Sequence, residues 1–433
     1  MIHRPLLAKG AVTAAALVLV VAACGSSTSS GATGSGGAGQ DVTVIGTWAG
    51  DEQKAFLAMV APWEQQTGNK VKYTGTRDIN TVLTTGVASG VLPDLAGLPG
   101  PGQMAEYAKN GSLKPLDTVL DLNTYNSETA PALAKLGQGA DGKTYGVFIK
   151  AAVKGLIWYN PTVHDYSSAP PKTWDDLKSQ ATANKGNAAA TWCLGLGSGA
   201  ASGWPGTDWI EDILLRQAGA DTYNSWWAGK TKWTDPAVKK AFQTYLDDVV
   251  KNIADPTAAV DPTKDFSLAG DPLFSNPPGC VVFHQASFIT GLGAFKGKTA
   301  EKDYNFFPFP DIDPANAGAL EGAGDLFGMF HDTDAAKSLM KYLVTAPAQD
   351  IWVKAGGALS ANKNAKDYPD NISKRSADLL TNAKIFVFDG SDLMPQAMNN
   401  AFWTAMLKVT KDPSSLDSVL ADLDKTQATA YGS

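Results

Sequence analysis

Histidine and cysteine are scarce in this chain: 433 residues hold four histidines and three cysteines. His3, His164, His284 and His331 fall in unrelated places, with no ligand pair at helical spacing, and no D-x-[DN]-x-[DN]-G loop occurs. Sequence-local metal sites are thereby excluded, and no metal or other cofactor is expected. Basic residues are short as well, 36 against 43 acidic, and they form no cluster, which argues against nucleic acid as a partner. Cofactor and nucleophile signatures fail in turn. Gly195–Ala200 fits a loose G-x-G-x-x-A, but Ala201-Ser-Gly-Trp-Pro follows where the dinucleotide fingerprint needs an apolar helix. Leu292–Thr299 has Leu where a phosphate loop begins with Gly, G-x-S-x-G is absent, and Ser338-Leu-Met-Lys341 has no K-T-G companion.

The N-terminus reads as processing signal. Arg4 and Lys9 form a basic region before the apolar run Ala11–Ala22, which is shorter than the roughly 20 residues a membrane span needs. Val21-Ala-Ala-Cys24 resembles the lipobox of bacterial lipoproteins, so Cys24 is expected to become the lipidated N-terminus of a chain cleaved after residue 23. Ser26–Gln40 contains only Ser, Thr, Gly, Ala and Gln, a flexible tether with nothing to build a core from. Cleavage removes Arg4 and Lys9, leaving 34 basic against 43 acidic side chains and a net charge of −9. The remaining ~390 residues suffice for two domains. Cys193 and Cys280, the two thiols left besides Cys24, are most simply a disulfide in an oxidising compartment, two separate buried thiols being the alternative.

From Asp41 the chain alternates strand and helix at βαβ spacing. Asp41–Gly46 reads as a buried strand, Glu52–Gln66 as a helix with Phe56, Leu57, Val60 and Trp63 on one face, and Gly68–Thr74 as a turn and second strand. A helix over Ile79–Ser89, a strand over Asp94–Leu98 and a helix over Met104–Lys109 follow, which predicts a parallel α/β sheet. Further strands are expected at Lys143–Val147, Gly155–Asn160, Thr191–Leu196, Cys280–Phe283 and Asn305–Phe309. Phe148–Lys154 and residues 318–330 read as crossings between two lobes. Thr173–Asp176 opens a helix with a capping box; others are predicted at Pro236–Lys251, Thr333–Thr345, Ala348–Ala355, Gln396–Thr410 and Leu416–Ala430.

Chemistry concentrates in Gly203-Trp-Pro-Gly-Thr-Asp-Trp-Ile-Glu211, with two tryptophans and two carboxylates in nine residues. A pyranose has an apolar face that rests on an aromatic ring and a rim of hydroxyls that seek charged partners, so this stretch reads as one wall of a sugar site. Asp208 and Glu211 also fit a capping box opening a helix over Ile210–Gln217, a role compatible with ligand contact. The ends of the first three strands offer Trp48, then Arg77 and Asp78, then the open loop Gly97–Gly102, and strand ends are where open α/β sheets bind ligands.

Several short pieces in fixed order carry a family resemblance over nearly all of residues 41–430. They are Pro93-Asp94, Asn110–Asp117, Leu156–Pro161, Pro171–Trp174, Gly203–Glu211, Gly356–Ser360, Phe388–Pro395 and Phe402-Trp403. The chain resembles family 1 extracellular solute-binding proteins of ABC importers, most closely the α-glucoside-binding branch, whose cysteine pair Cys193 and Cys280 match. The resemblance implies an α/β, two-lobe periplasmic-binding-protein-like fold of type II. Each lobe is then a mostly parallel sheet flanked by helices, with the ligand cleft between them. Lobe boundaries are expected at 41–150 with 324–382, and at 151–323 with 383–433. Trp403 stands where relatives carry a ring-stacking aromatic. Where the maltose-binding branch has an aromatic and charged residues after Pro-Asp, this chain has Leu98-Pro-Gly-Pro-Gly102, so that end of the cleft must recognise its ligand differently. The ligand-contacting set expected is Trp48, Glu52, Arg77, Asp78, Trp204, Asp208, Trp209, Glu211, His284, Gln285, Asp325 and Trp403. The implied partners are an oligosaccharide of α-glucoside type, the ABC permease, and a membrane through the lipid on Cys24. The receptor is expected to be extracytoplasmic, monomeric and not an enzyme. The rival reading is a secreted glycoside hydrolase drawing paired carboxylates from Asp208, Glu211 and Asp325.

Overall fold

The computed structural model describes residues 39–98 and 100–432. The leader, Cys24 and nearly all of the tether lie outside the described residues, as does Pro99 in the Leu98–Gly102 loop. The described residues contain ten strands: β1 Asp41–Gly46, β2 Lys70–Gly75, β3 Leu95–Leu98, β4 Gly146–Val153, β5 Leu156–Tyr159, β6 Trp192–Cys193, β7 Val282–Gln285, β8 Asn305–Pro308, β9 Ala319–Met329 and β10 Ile385–Phe388. They form two sheets. The first has the order β10-β9-β3-β1-β2 with β4 also on β9, and the second runs β6-β7-β5-β8. Helices pack around both, and no described helix is long and apolar enough to cross a membrane.

The two predicted crossings are strands paired with each other. β4 and β9 run antiparallel from Gly146↔Gly328 to Val153↔Gly322, with an irregularity between Phe148 and Lys150. β4 is buried along its whole length and β9 along all but Asp325. Strands covered on both faces read as continuous apolar runs, so small residues such as Ala151, Ala152, Gly322, Ala323 and Gly324 hid the strand pattern.

The expectation of a mostly parallel sheet needs correction for the second sheet. In the first, β1–β2, β1–β3 and β9–β10 are parallel, while β3–β9 and β4–β9 are antiparallel. In the second, β5 runs against both β7 and β8, and only β6–β7 is parallel. β5 begins three residues after β4 ends, through Gly155 at φ 64°.

The predicted helix over Ile210–Gln217 is part of a longer one, Trp204–Trp227, bent at Gly219. It is capped by Gly203, so Asp208 and Glu211 lie inside it and form no capping box. Pro205 is in the first turn, where its missing N–H costs nothing. The capping box at Thr173 and Asp176 does form. Cys193 and Cys280 are joined in a disulfide with their Cα atoms 5.3 Å apart. Unpredicted elements include the helix Asn371–Asn382 and β10.

Candidate functional site: a cavity walled by aromatics and paired charges

A cavity of about 140 Å³ gathers residues from strand ends, crossing strands and helix starts. Trp48 follows β1, Glu52 lies in the first turn of the helix Gly50–Thr67, and Arg77 follows β2. Lys150 on β4 and Asp325 on β9 come from the crossing pair. Trp204, Asp208, Phe266, Phe288, Asp389, Asp392 and Trp403 complete the wall. The lining thus includes seven of the twelve expected ligand contacts: Trp48, Glu52, Arg77, Trp204, Asp208, Asp325 and Trp403.

Its charges are organised around two buried lysines. Lys150 Nζ donates to Glu52 Oε1 at 2.8 Å and lies 3.7 Å from Asp325, while Arg77 Nη2 reaches Glu52 Oε2 at 3.4 Å. Burial alone would raise Glu52, but Lys150 and Arg77 hold its carboxyl below the ordinary value. Asp325 goes the other way, because burial outweighs the pull of Lys150 and Glu52 repels it. Lys154 Nζ donates to both Asp208 oxygens, at 2.9 and 2.8 Å, and lies 2.8 Å from Asp389 Oδ2. Burial disfavours the Lys154 cation, yet these carboxylates keep it protonated, well above the ordinary lysine range. Asp208 is pushed up to about 7 by burial, which Lys154 offsets only in part.

The same cations brace the aromatic wall. Lys154 sits 4.9 Å from the Trp204 ring centroid, Lys150 5.3 Å from Phe288 and Arg77 5.4 Å from Phe266. Trp204 is half-buried and meets Phe266 edge-on at 4.7 Å. Gly203 is held at φ 115°, and a Cβ there would collide with the Trp403 carbonyl. That contact brings the two tryptophan backbones together. Trp403 Nε1 and Ser198 Oγ, both in the lining, have no hydrogen-bond partner among the described residues. Both atoms are buried from solvent.

Five expected contacts are placed elsewhere. Asp78 is exposed, ahead of the helix Ile79–Ser89. Trp209 stacks on His284 at 4.1 Å and meets Trp192 edge-on at 4.9 Å, inside the core. Glu211 accepts from Gly390 N at 2.6 Å and from Tyr223 Oη at 3.0 Å. His284 Nε2 bonds Asp212 at 2.7 Å, and Gln285 Oε1 accepts from Ala286 N at 2.7 Å. These four side chains are buried behind the wall. Sequence reading did not single out Lys150, Lys154, Ser198, Phe266, Phe288, Asp389 or Asp392. A signal for the lysines existed: two charges four residues apart inside the apolar run Phe148–Tyr159 are costly to bury unless paired.

The family model for bacterial extracellular solute-binding proteins matches residues 49–350. The chain belongs to that family. It is 35% identical over 381 residues to the osmoprotective compounds-binding protein GgtB of Synechocystis sp., covering 85% of this chain and 88% of that one. The α-glucosides-binding periplasmic protein AglE of Rhizobium meliloti is 34% identical over 402 residues, covering 88% and 85%. Among solved structures, the bacterial solute receptor AcbH superposes with a TM-score of 0.78 at 20% identity, over 91% of this chain and all of that one. The two-lobe fold with a cleft between lobes, and an extracytoplasmic receptor in place of an enzyme, follow. The glycoside hydrolase reading falls with this. Its candidate carboxylates are engaged, Asp208 by Lys154 through both oxygens and Glu211 by a backbone N–H and Tyr223.

Proposed function

We propose that this solute-binding protein captures a small α-glucoside between its lobes and hands it to the transmembrane subunits of an ABC importer. The observation that carries the reading is the cavity's chemistry. Tryptophan and phenylalanine rings stand beside charge-paired carboxylates in one lining. A volume of about 140 Å³ is below the ~300–1,000 Å³ of pockets for drug-sized ligands, which favours one or two sugar rings over a long dextrin. AglE, at 34% identity, is named for binding α-glucosides, and GgtB, at 35%, for binding osmoprotective compounds.

The lobes comprise 41–150 with 324–382, and 151–323 with 383–433. Ligand favours closure through contacts made only in the closed state. A micromolar solute supplies roughly 8 kcal/mol, sufficient to shift a hinge lying within a few kcal/mol of balance. The receptor acts as a monomer tethered by a lipid on Cys24. Calorimetry against maltose, trehalose, sucrose, longer maltodextrins and a β-glucoside tests the specificity, with micromolar binding expected for at least one short α-glucoside. Millimolar or absent binding to all of them overturns it. Palmitate labelling, lost in Cys24→Ala, tests the anchor.

A further inference from the structure

At the floor of the cavity two wall carboxylates, Asp208 and Asp389, meet a third, Glu321, that is not in the lining. Asp208 on the helix Trp204–Trp227, Glu321 on β9 and Asp389 just after β10 are buried, and each offers an oxygen within 4.8 Å of the others. Lys154 gives its ammonium to Asp208 and Asp389. Neither Glu321 oxygen has a hydrogen-bond partner, nor has Glu211 Oε1, and both residues are fully buried. With Asp392, five acidic side chains therefore share one ammonium. Asp212, on the same helix, does not add to the excess because Arg216 holds it at 2.7 Å.

We propose that Asp208, Glu321 and Asp389 form a site for a hard divalent cation, with Ca²⁺ as the first choice. The donors are all oxygens, which suit Ca²⁺, Mg²⁺ or Mn²⁺ and not the softer metals. Ca²⁺ binds oxygens at about 2.3–2.6 Å, so two oxygens on opposite sides of one ion are about 5 Å apart at most, and a 4.8 Å cluster fits around it. Asp208 and Asp389 then bridge the ion and the Lys154 ammonium, and Glu321 gains the partner it lacks. The ion ties together three segments far apart in sequence, at the floor of the solute cavity.

The test uses the mature chain, stripped with EDTA and dialysed. Equilibrium dialysis against CaCl2 should give one ion per chain, and the thermal midpoint should rise saturably with CaCl2 but not with NaCl of equal ionic strength. Glu321→Gln should abolish both responses while leaving the chain folded, and the exposed Asp247→Asn should leave both intact. If Glu321→Gln does not fold, Asp208→Asn serves in its place. No stoichiometric ion and no CaCl2-specific rise in the wild-type chain overturns the proposal. The excess charge is then held by protons, which would show as a midpoint that falls with rising pH in the wild type and less so in Glu321→Gln.

Discussion

Lys154→Met replaces the buried ammonium between Asp208 and Asp389 with an apolar side chain of similar length. Lys154 and both of its partners are almost wholly buried, so the substitution leaves carboxylates without their cation where solvent screens them little. Removing one partner of a buried pair costs about 3–5 kcal/mol, and the lost contact with the Trp204 ring adds about 0.5–2 kcal/mol. A working figure of ~4 kcal/mol is the low end of that total. The 395 residues of Gly39–Ser433, at about 2.1 cal/mol/K each, give an unfolding entropy near 0.8 kcal/mol/K. The midpoint should therefore fall by about 5 °C in a two-state transition followed by scanning calorimetry in EDTA. Lys154→Met with Asp208→Asn removes one of the stranded charges and should recover about half of the loss. An unchanged midpoint in the single variant, or a double variant no more stable than the single, refutes the electrostatic reasoning.

Three further outcomes are expected. Trp204→Ala and Trp403→Ala should each weaken binding of the calorimetrically identified α-glucoside at least about tenfold, roughly 1.4 kcal/mol; unchanged affinity in both removes the aromatic wall from the site. Burial lowers the pKa of His284 despite the neighbouring Asp212 carboxylate, so the unfolded chain takes up that proton more readily than the folded one. The stability this group contributes is complete above about pH 6.5 and is lost as the pH falls below it. From pH 8 to 5.5 the wild-type midpoint should lose ground relative to His284→Gln, and a constant difference contradicts the assignment. Cys193→Ser with Cys280→Ser opens a loop of 87 residues, for which chain entropy sets a ceiling of about 4–5 kcal/mol; equilibrium denaturation should show a loss up to that size, and no loss at all would count against the bond.

Several helices and the edge strand β2 were legible because their signals are local. Ile79–Ser89 is found with its predicted ends, and the Thr173 capping box is fully contained in four residues. β4 and β9 were readable only as crossings, because their partner strands lie about 180 residues away and small residues dilute the apolar pattern. Antiparallel pairing of β5 depends on β7 and β8, which no window around β5 contains. In the site, Trp204, Asp208 and Glu211 share a helix face at i, i+4 and i+7, with Glu211 held deeper by Gly390 and Tyr223, whereas Trp209 turns toward the core. Reading the nine-residue stretch as a continuous wall ignored that periodicity, and mistaking the helix start hid it. Lys150 and Lys154 acquire their meaning only from carboxylates on distant elements, Glu52, Asp208 and Asp389.

The contact between Gly203 and the Trp403 carbonyl bears on any attempt to redesign what this receptor accepts. The separation of the two indole-bearing positions is set by main chain against main chain, with no side chain between them to trim or enlarge. Exchanging either tryptophan would alter the surface offered to a solute but not the spacing of the two anchor points. Position 203 itself is closed to variation, since any larger residue would wedge the anchors apart. A library for new specificities would do better to hold Gly203 constant and diversify Phe266, Phe288 and Ser198, whose side chains border the same space.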